Sequence, residues 1–393
     1  MASIVDTSVK HIYSSMTGVS PINGNPGSMI PVLRAFLVTG WGGKAVDSAS
    51  ISNGLCRLVF ASGKSAAELH AVITVSGASP SALNGEQRVT AVANGWVEFK
   101  TDLPDGAVTG SISFKMAGLG WEEVYSKTNV SVFRPTDPRG TRMFYRVNDS
   151  AGGQARVQMY ESMTDVDTGI GVSPSLAGGW YWIKSNNYPD STARYWLLIG
   201  NARSFYFFAC AGNSSATAPQ AGSYGLASFA GDLNSYKSGD AWCGTVSGLD
   251  NSSWSDRAGC LFQCAEDKAS FAIARQSHGI GSTASSRRRA YRNGTSGADG
   301  TLGGYPSRVD NGLRLSPIII TDGVDSAPRG EMPGAWYCPQ SGVMSVLGNK
   351  FGFVAGMGEF SGKTFLTVPL QGDGSNFGIG FFDASGPWEV VNG

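Results

Sequence analysis

The sequence predicts a mainly β protein, and three observations carry that prediction. Glycine supplies 54 of 393 residues, about twice its usual ~7% share. Charged residues are only 15% of the chain, while aromatic residues reach 11%. Apolar residues fall in short alternating runs bounded by turn formers, not in long helical periods. Together these describe many short strands joined by tight turns. The expected architecture is an N-terminal arm with one short helix over 1–45, then a small β-sandwich-like module over 46–134. A larger β-rich C-terminal domain follows over 141–393, with an exposed loop at 277–306.

The arm is dense in turn formers from Ser20 to Gly27. A helix is expected next. Ser28 can cap it, Pro31 is tolerated in its first turn, and Gly40 can stop it. Ile30, Leu33, Phe36 and Leu37 recur at helical spacing. In the module, Val72–Val75 is rich in β-branched residues. Asn94-Gly95 sits between two strand-like runs and predicts a hairpin with a type I′ turn. Ile112, Phe114 and Met116 alternate with Ser111, Ser113 and Lys115, so one face of that strand is buried. Arg134 to Gly140 holds two prolines and a glycine and reads as a linker.

The C-terminal part keeps the β pattern. Expected strands are Met143 to Val147, Ala155 to Tyr160, Trp180 to Ile183, Tyr195 to Ile199 and Phe205 to Cys210. Further strands are expected at Phe271 to Ala274, Ile318 to Ile320, Phe351 to Val354, Phe365 to Val368 and Ile379 to Phe382. Ser277 to Pro306 is Gly-, Ser- and Arg-rich, the composition of an exposed loop.

Lysine plus arginine number 30, as do aspartate plus glutamate. A balanced chain lacks the positive field that draws nucleic acid or anionic membranes, so neither is an expected partner. No apolar run approaches the ~18 residues of a membrane span. Residues 1–10 carry no apolar core of signal-peptide length, so cytosolic synthesis and six reduced cysteines are expected.

Three histidines, His11, His70 and His278, are a thin supply for a metal site or a triad. Cys260 and Cys264, with Cys243 upstream, have permissive zinc spacing. Alternation also suits buried thiols on one strand face. Carboxylates pair at Glu122-Glu123, Asp165/Asp167 and Glu266-Asp267, which fits a glycosidase dyad or solvated surface charge. No P-loop, nucleophile elbow, HExxH or dinucleotide fingerprint is present. The Arg287, Arg288, Arg289 and Arg292 cluster suits an acidic partner surface or a solvated loop tip. Trp180, Trp182 and Trp336 could stack on sugar rings, although alternation turns one member of each aromatic set toward the core.

The order of segments resembles a group of tailed-bacteriophage virion proteins. The resemblance rests on His11 to Ser15, Pro31 to Gly42, Leu83-Asn84-Gly85-Glu86 and Gly120-Trp121. It continues through Tyr160 to Gly169, Phe229 to Ala241, Arg329 to Gly334 and Gly386-Pro387-Trp388. It implies a structural component of the tail, neck or baseplate, made in the host cytoplasm and resident in the virion. It implies no catalytic site and no cofactor. The implied partners are other virion proteins and further copies of the chain. Expected contacts are His11, Tyr13, Pro21 and Asn23 in the arm, together with the arginine cluster. An arm that docks on a neighbour should be removable, so deletion of residues 1–25 is expected to leave the remaining domains folded. The alternative is a host-surface glycan-binding fibre or spike protein using Trp180, Trp182 and Trp336.

Overall fold

The computed structural model describes residues 4–61, 63–212, 225–250, 252, 271–273, 282–284, 302–321, 327–347, 351–371 and 377–389. It is a mainly β protein built of antiparallel sheets, and the helical segments among the described residues are short.

The centre is a seven-stranded sheet. Its order is Lys10–Tyr13, Tyr195–Gly200, Ser204–Cys210, Gly225–Asp232, Gly244–Ser247, Phe271–Ile273 and Ser282–Ala284. Tyr195–Gly200 and Ser204–Cys210 are buried along their whole length. Trp196, Leu198, Phe205 and Phe207 point into one core. Tyr195, Leu197, Tyr206 and Phe208 point into another. A strand covered on both faces needs no polar side, which is why these two runs are continuously apolar.

One face packs against a five-stranded sheet and the N-terminal module. The five strands run Trp121–Lys127, Val130–Pro135, Phe144–Asn148, Gln154–Tyr160 and Trp180–Ile183. The other face meets the C-terminal sheet, through Ile318, Leu366, Val368 and Phe382. That sheet joins Asn234–Ser235, Pro328–Tyr337, Phe377–Asp383, Thr364–Gln371 and Gly352–Ala355, with Ser316–Thr321 on Pro328–Tyr337.

The module is sandwich-like. Its sheet runs Trp41–Ala45, Ser113–Met116, Val72–Ser76, Gly85–Ala93, Trp96–Lys100, Leu55–Val59, Ser48–Ser52 and Gly106–Val108. Gly85–Ala93 carries an irregularity between Val89 and Ala91 and pairs with a different half of the sheet on each side. Ile73, Val75 and Phe114 from one half share a core with Leu58, Val97 and Phe99 from the other. The expected hairpin at Asn94-Gly95 is present, with Ala93 opposite Trp96. Its turn is not type I′, because only Gly95 has positive φ. The type I′ pattern occurs instead at Asn53-Gly54, where both residues have positive φ between Ser52 and Leu55.

Two local expectations are corrected. Arg134 to Gly140 is not a domain linker. It leads from Val130–Pro135 to Phe144–Asn148, two strands paired in one sheet. The short helix is real, with Ile30–Arg34 continuing into a π-helical turn over Ala35–Thr39 and ending at Gly40. Ser28 does not cap it. The Met29 N–H donates to Asp149 Oδ2 at 2.8 Å, so a carboxylate 120 residues away satisfies one of the open N–H groups of the first turn. Ser28 Oγ donates to Asn23 O and accepts from Lys184 Nζ instead.

Candidate functional site

The arm is part of the fold, not a detachable extension. Lys10–Tyr13 pairs residue by residue with Leu197 to Gly200. His11, expected at an assembly contact, is buried, so it cannot meet a partner without unfolding the strand. Its imidazole stacks on Tyr13 and contacts the Phe353 ring. Neither ring nitrogen has a hydrogen-bond partner among the described residues. Burial, then the charges of Arg88 and His70, push its pKa down to about 3. Tyr13 is half-buried against Phe351. This strand pairing argues against the expectation that residues 1–25 can be removed from an otherwise folded chain.

Arg88 locks this arm to both ends of the structure. Its Nε donates to Asp6 O at 2.6 Å and its Nη2 to Val9 O at 3.1 Å. Its Nη1 donates to His70 O at 2.7 Å and to Ala384 O at 2.8 Å. A guanidinium offers five N–H donors in a rigid fork, and here backbone carbonyls from three segments occupy it. Close by, Trp388 Nε1 donates to Asp383 O at 2.6 Å, and Asn234 Nδ2 donates to Trp388 O at 2.7 Å. Gly334 lies against the Trp388 indole, where any Cβ would collide.

Further along, the arm meets the loop between Trp180–Ile183 and Tyr195–Gly200. Ile22 bridges Arg194, Gly24 N–H donates to Asp190 O, and Asn23 Nδ2 donates to Ser191 O. Pro21 is exposed beside this seam and Asn23 is half-buried in it. Beneath it, Lys184 Nζ donates to Asp149 Oδ1, to Asn25 O at 2.7 Å and to Ser28 Oγ at 3.2 Å. Three acceptors around one amine match the three donors of an ammonium. The same loop bounds an open depression of about 500 Å³ lined by Asn186, Asn187, Asp190, Thr192, Arg194 and Gly212.

The expected sugar-stacking tryptophans do not form a surface. Trp180 and Trp182 are buried, and their indole N–H groups donate to Val246 O and Ser247 O. Trp336 is half-buried with its ring edge-on to Phe360. Alternation puts Trp180 and Trp182 on the same, covered face of their strand.

The carboxylate pairs are engaged in ion pairs and turns. Glu122 meets Arg134 at 2.6 Å and Glu123 meets Arg34 at 2.7 Å. The Arg34 hydrogen bond holds the Glu123 carboxyl below its usual range. Asp165 accepts the Asp167 and Thr168 N–H groups in a tight turn, while Asp167 meets Lys127 and Arg146. Cys56, Cys210, Cys243 and Cys338 are buried, and burial pushes the Cys56 thiol up to about 12. Glu266, Asp267, Cys260, Cys264 and the cluster Arg287, Arg288, Arg289 and Arg292 lie outside the described residues. Among the described residues, no helix is long and apolar enough to cross a membrane, and no three metal-ligating side chains gather.

Comparison with protein-family models and with curated protein sequences finds no match.

Proposed function

We propose that this chain is a structural component of a tailed-bacteriophage particle, acting in the tail, neck or baseplate through assembly with other virion proteins and with its own copies. The observation that carries this reading is the junction around Arg88 and Trp388. Segments that bear the sequence resemblance, Phe229 to Ala241, Arg329 to Gly334 and Gly386-Pro387-Trp388, meet there although they are far apart in the chain. The arm joins the same junction through Asp6 and Val9. Side chains recruited to bond backbone from distant segments build a stiff scaffold, which suits a part that must present fixed surfaces to neighbours. Assembly surfaces must then come from residues other than His11.

Mass spectrometry of gradient-purified particles from the phage or prophage that encodes the chain tests the reading. A fixed copy number per particle, in keeping with closed symmetry, is the expected result. Abundant chain in the lysate together with none in the particles overturns it.

A further inference from the structure

We propose that Asn53 is a self-modifying site, where the Asn53-Gly54 turn converts spontaneously through a succinimide to isoaspartate and aspartate. The sequence holds seven Asn-Gly pairs. A glycine that follows asparagine offers the least hindered backbone nitrogen to the side-chain amide. The reaction is an intramolecular acyl transfer, so its rate follows how freely the two groups can meet.

The atoms balance with water alone. Hydroxide takes the proton of the Gly54 N–H, and that nitrogen bonds to Asn53 Cγ. The Asn53 Nδ2 leaves with a proton from water as ammonia, and a five-membered ring is closed. Water then opens the ring at either carbonyl. One opening gives aspartate; the other gives isoaspartate, in which the backbone runs through the side chain and is one carbon longer. Both products place a new negative charge next to Asp105.

Asn53 and Gly54 are exposed and form the two-residue turn between Ser48–Ser52 and Leu55–Val59, both with positive φ. The flanks of the turn are tied down. Asn53 N–H donates to Asp105 Oδ1 at 2.9 Å, and Thr101 N–H donates to Gly54 O at 2.9 Å. The peptide joining the two turn residues is not. Neither Asn53 O nor Gly54 N–H has a hydrogen-bond partner among the described residues. That peptide can rotate and bring the nitrogen to Cγ without breaking a hydrogen bond. The Asn53 side chain is held only through Nδ2, which donates to Ser52 Oγ at 3.2 Å.

The other described pairs are held at one reacting group. Gly24 N–H donates to Asp190 O at 2.8 Å, and Gly312 N–H donates to Asp310 Oδ1 at 2.9 Å. Asn84 is clamped through its amide: Nδ2 donates to Ala78 O at 2.9 Å and Oδ1 accepts from Ala78 N at 2.8 Å. Asn94 is exposed, but Gly95 N–H donates to Gly63 O at 3.3 Å. Asn293-Gly294 and Asn392-Gly393 lie outside the described residues.

The test is timed peptide mass spectrometry of the full chain in mildly alkaline buffer, folded and in guanidinium chloride, with fragmentation that separates isoaspartate from aspartate. In the folded chain Asn53 should convert ahead of Asn23, Asn84, Asn94 and Asn311, with isoaspartate the larger product. Asn23, Asn84 and Asn311 should react about tenfold or more slowly than in denaturant, because a hydrogen bond must break first. Asn53 should keep its unfolded rate to within about threefold. Asn53→Gln, which would have to close a six-membered ring, should lose the fast phase of ammonia release and keep the wild-type circular dichroism. Conversion at Asn94 before Asn53 overturns the proposal. So does an Asn53 as protected by folding as the other three, or a fast phase that Asn53→Gln retains.

Discussion

Lys184 and Asp149 form an ion pair in which both side chains are fully excluded from solvent. The pair joins three segments: Lys184 binds Asn25 O and Ser28 Oγ, while Asp149 accepts the Met29 N–H. Burial raises the Asp149 pKa to about 6 and lowers that of Lys184. The desolvation cost is met by the complete set of partners around both groups.

Removing one partner leaves the other charged group buried alone. Lys184→Met and Asp149→Ala should each cost about 3–5 kcal/mol in urea unfolding. Asp149→Ala should be the worse of the two, because the helix also loses its cap. Losses under 1 kcal/mol for both would show that the pair is not what anchors the arm.

His11 makes the fold acid-sensitive. Its folded pKa of about 3 lies below the ~6.5 of an unfolded histidine. The unfolded chain therefore binds the proton first. His11 stabilises the fold fully above pH ~6.5, and that stability drains as pH falls toward about 3. His11→Leu should flatten the Tm profile across that window. It should not lower the Tm at pH 7, since neither ring nitrogen has a partner to lose. An unchanged pH profile would contradict this.

Deleting residues 1–25 uncovers the edge of Tyr195–Gly200 and strips Arg88 of two acceptors. Exposed strand edges aggregate. The truncated chain should lose its cooperative thermal transition and scatter light. Arg88→Met is the milder counterpart. It should cost about 3 kcal/mol or more, from four carbonyls left with one donor fewer. A soluble truncated chain that melts cooperatively would refute the integral arm.

Gly334 combines positive φ with close approach to the Trp388 indole. Gly334→Ala adds a strained backbone and a clash, costing about 2–4 kcal/mol. Tryptophan emission should shift red as Trp388 is displaced from its buried seat. A variant with wild-type Tm and emission would show that the junction yields easily.

Strands whose apolar pattern is local were readable in the chain. Trp180–Ile183 occurs as expected, and Tyr195–Gly200 and Ser204–Cys210 differ from expectation by one residue each. Pro328–Tyr337 was not expected, because two prolines and two glycines mask the strand. The I′ turn at Asn53-Gly54 bore the same signal as Asn94-Gly95 but was not read. The candidate site was the least legible part. Exposure of Trp182 depends on which sheet covers which face, and one strand does not record that. Asp149 as a helix cap and Arg88 as a carbonyl clamp are choices made across more than 100 and 200 residues respectively.

Arg88 has a consequence for synthesis. Its bond to Ala384 O spans 296 residues. A ribosome adding ~5–20 residues per second needs roughly 15–60 s to cover that interval. Throughout it the guanidinium has one acceptor fewer, and the nascent N-terminal half must wait with that contact open. The molecule closes like a drawstring bag, pulled shut by a stretch made long after the arm.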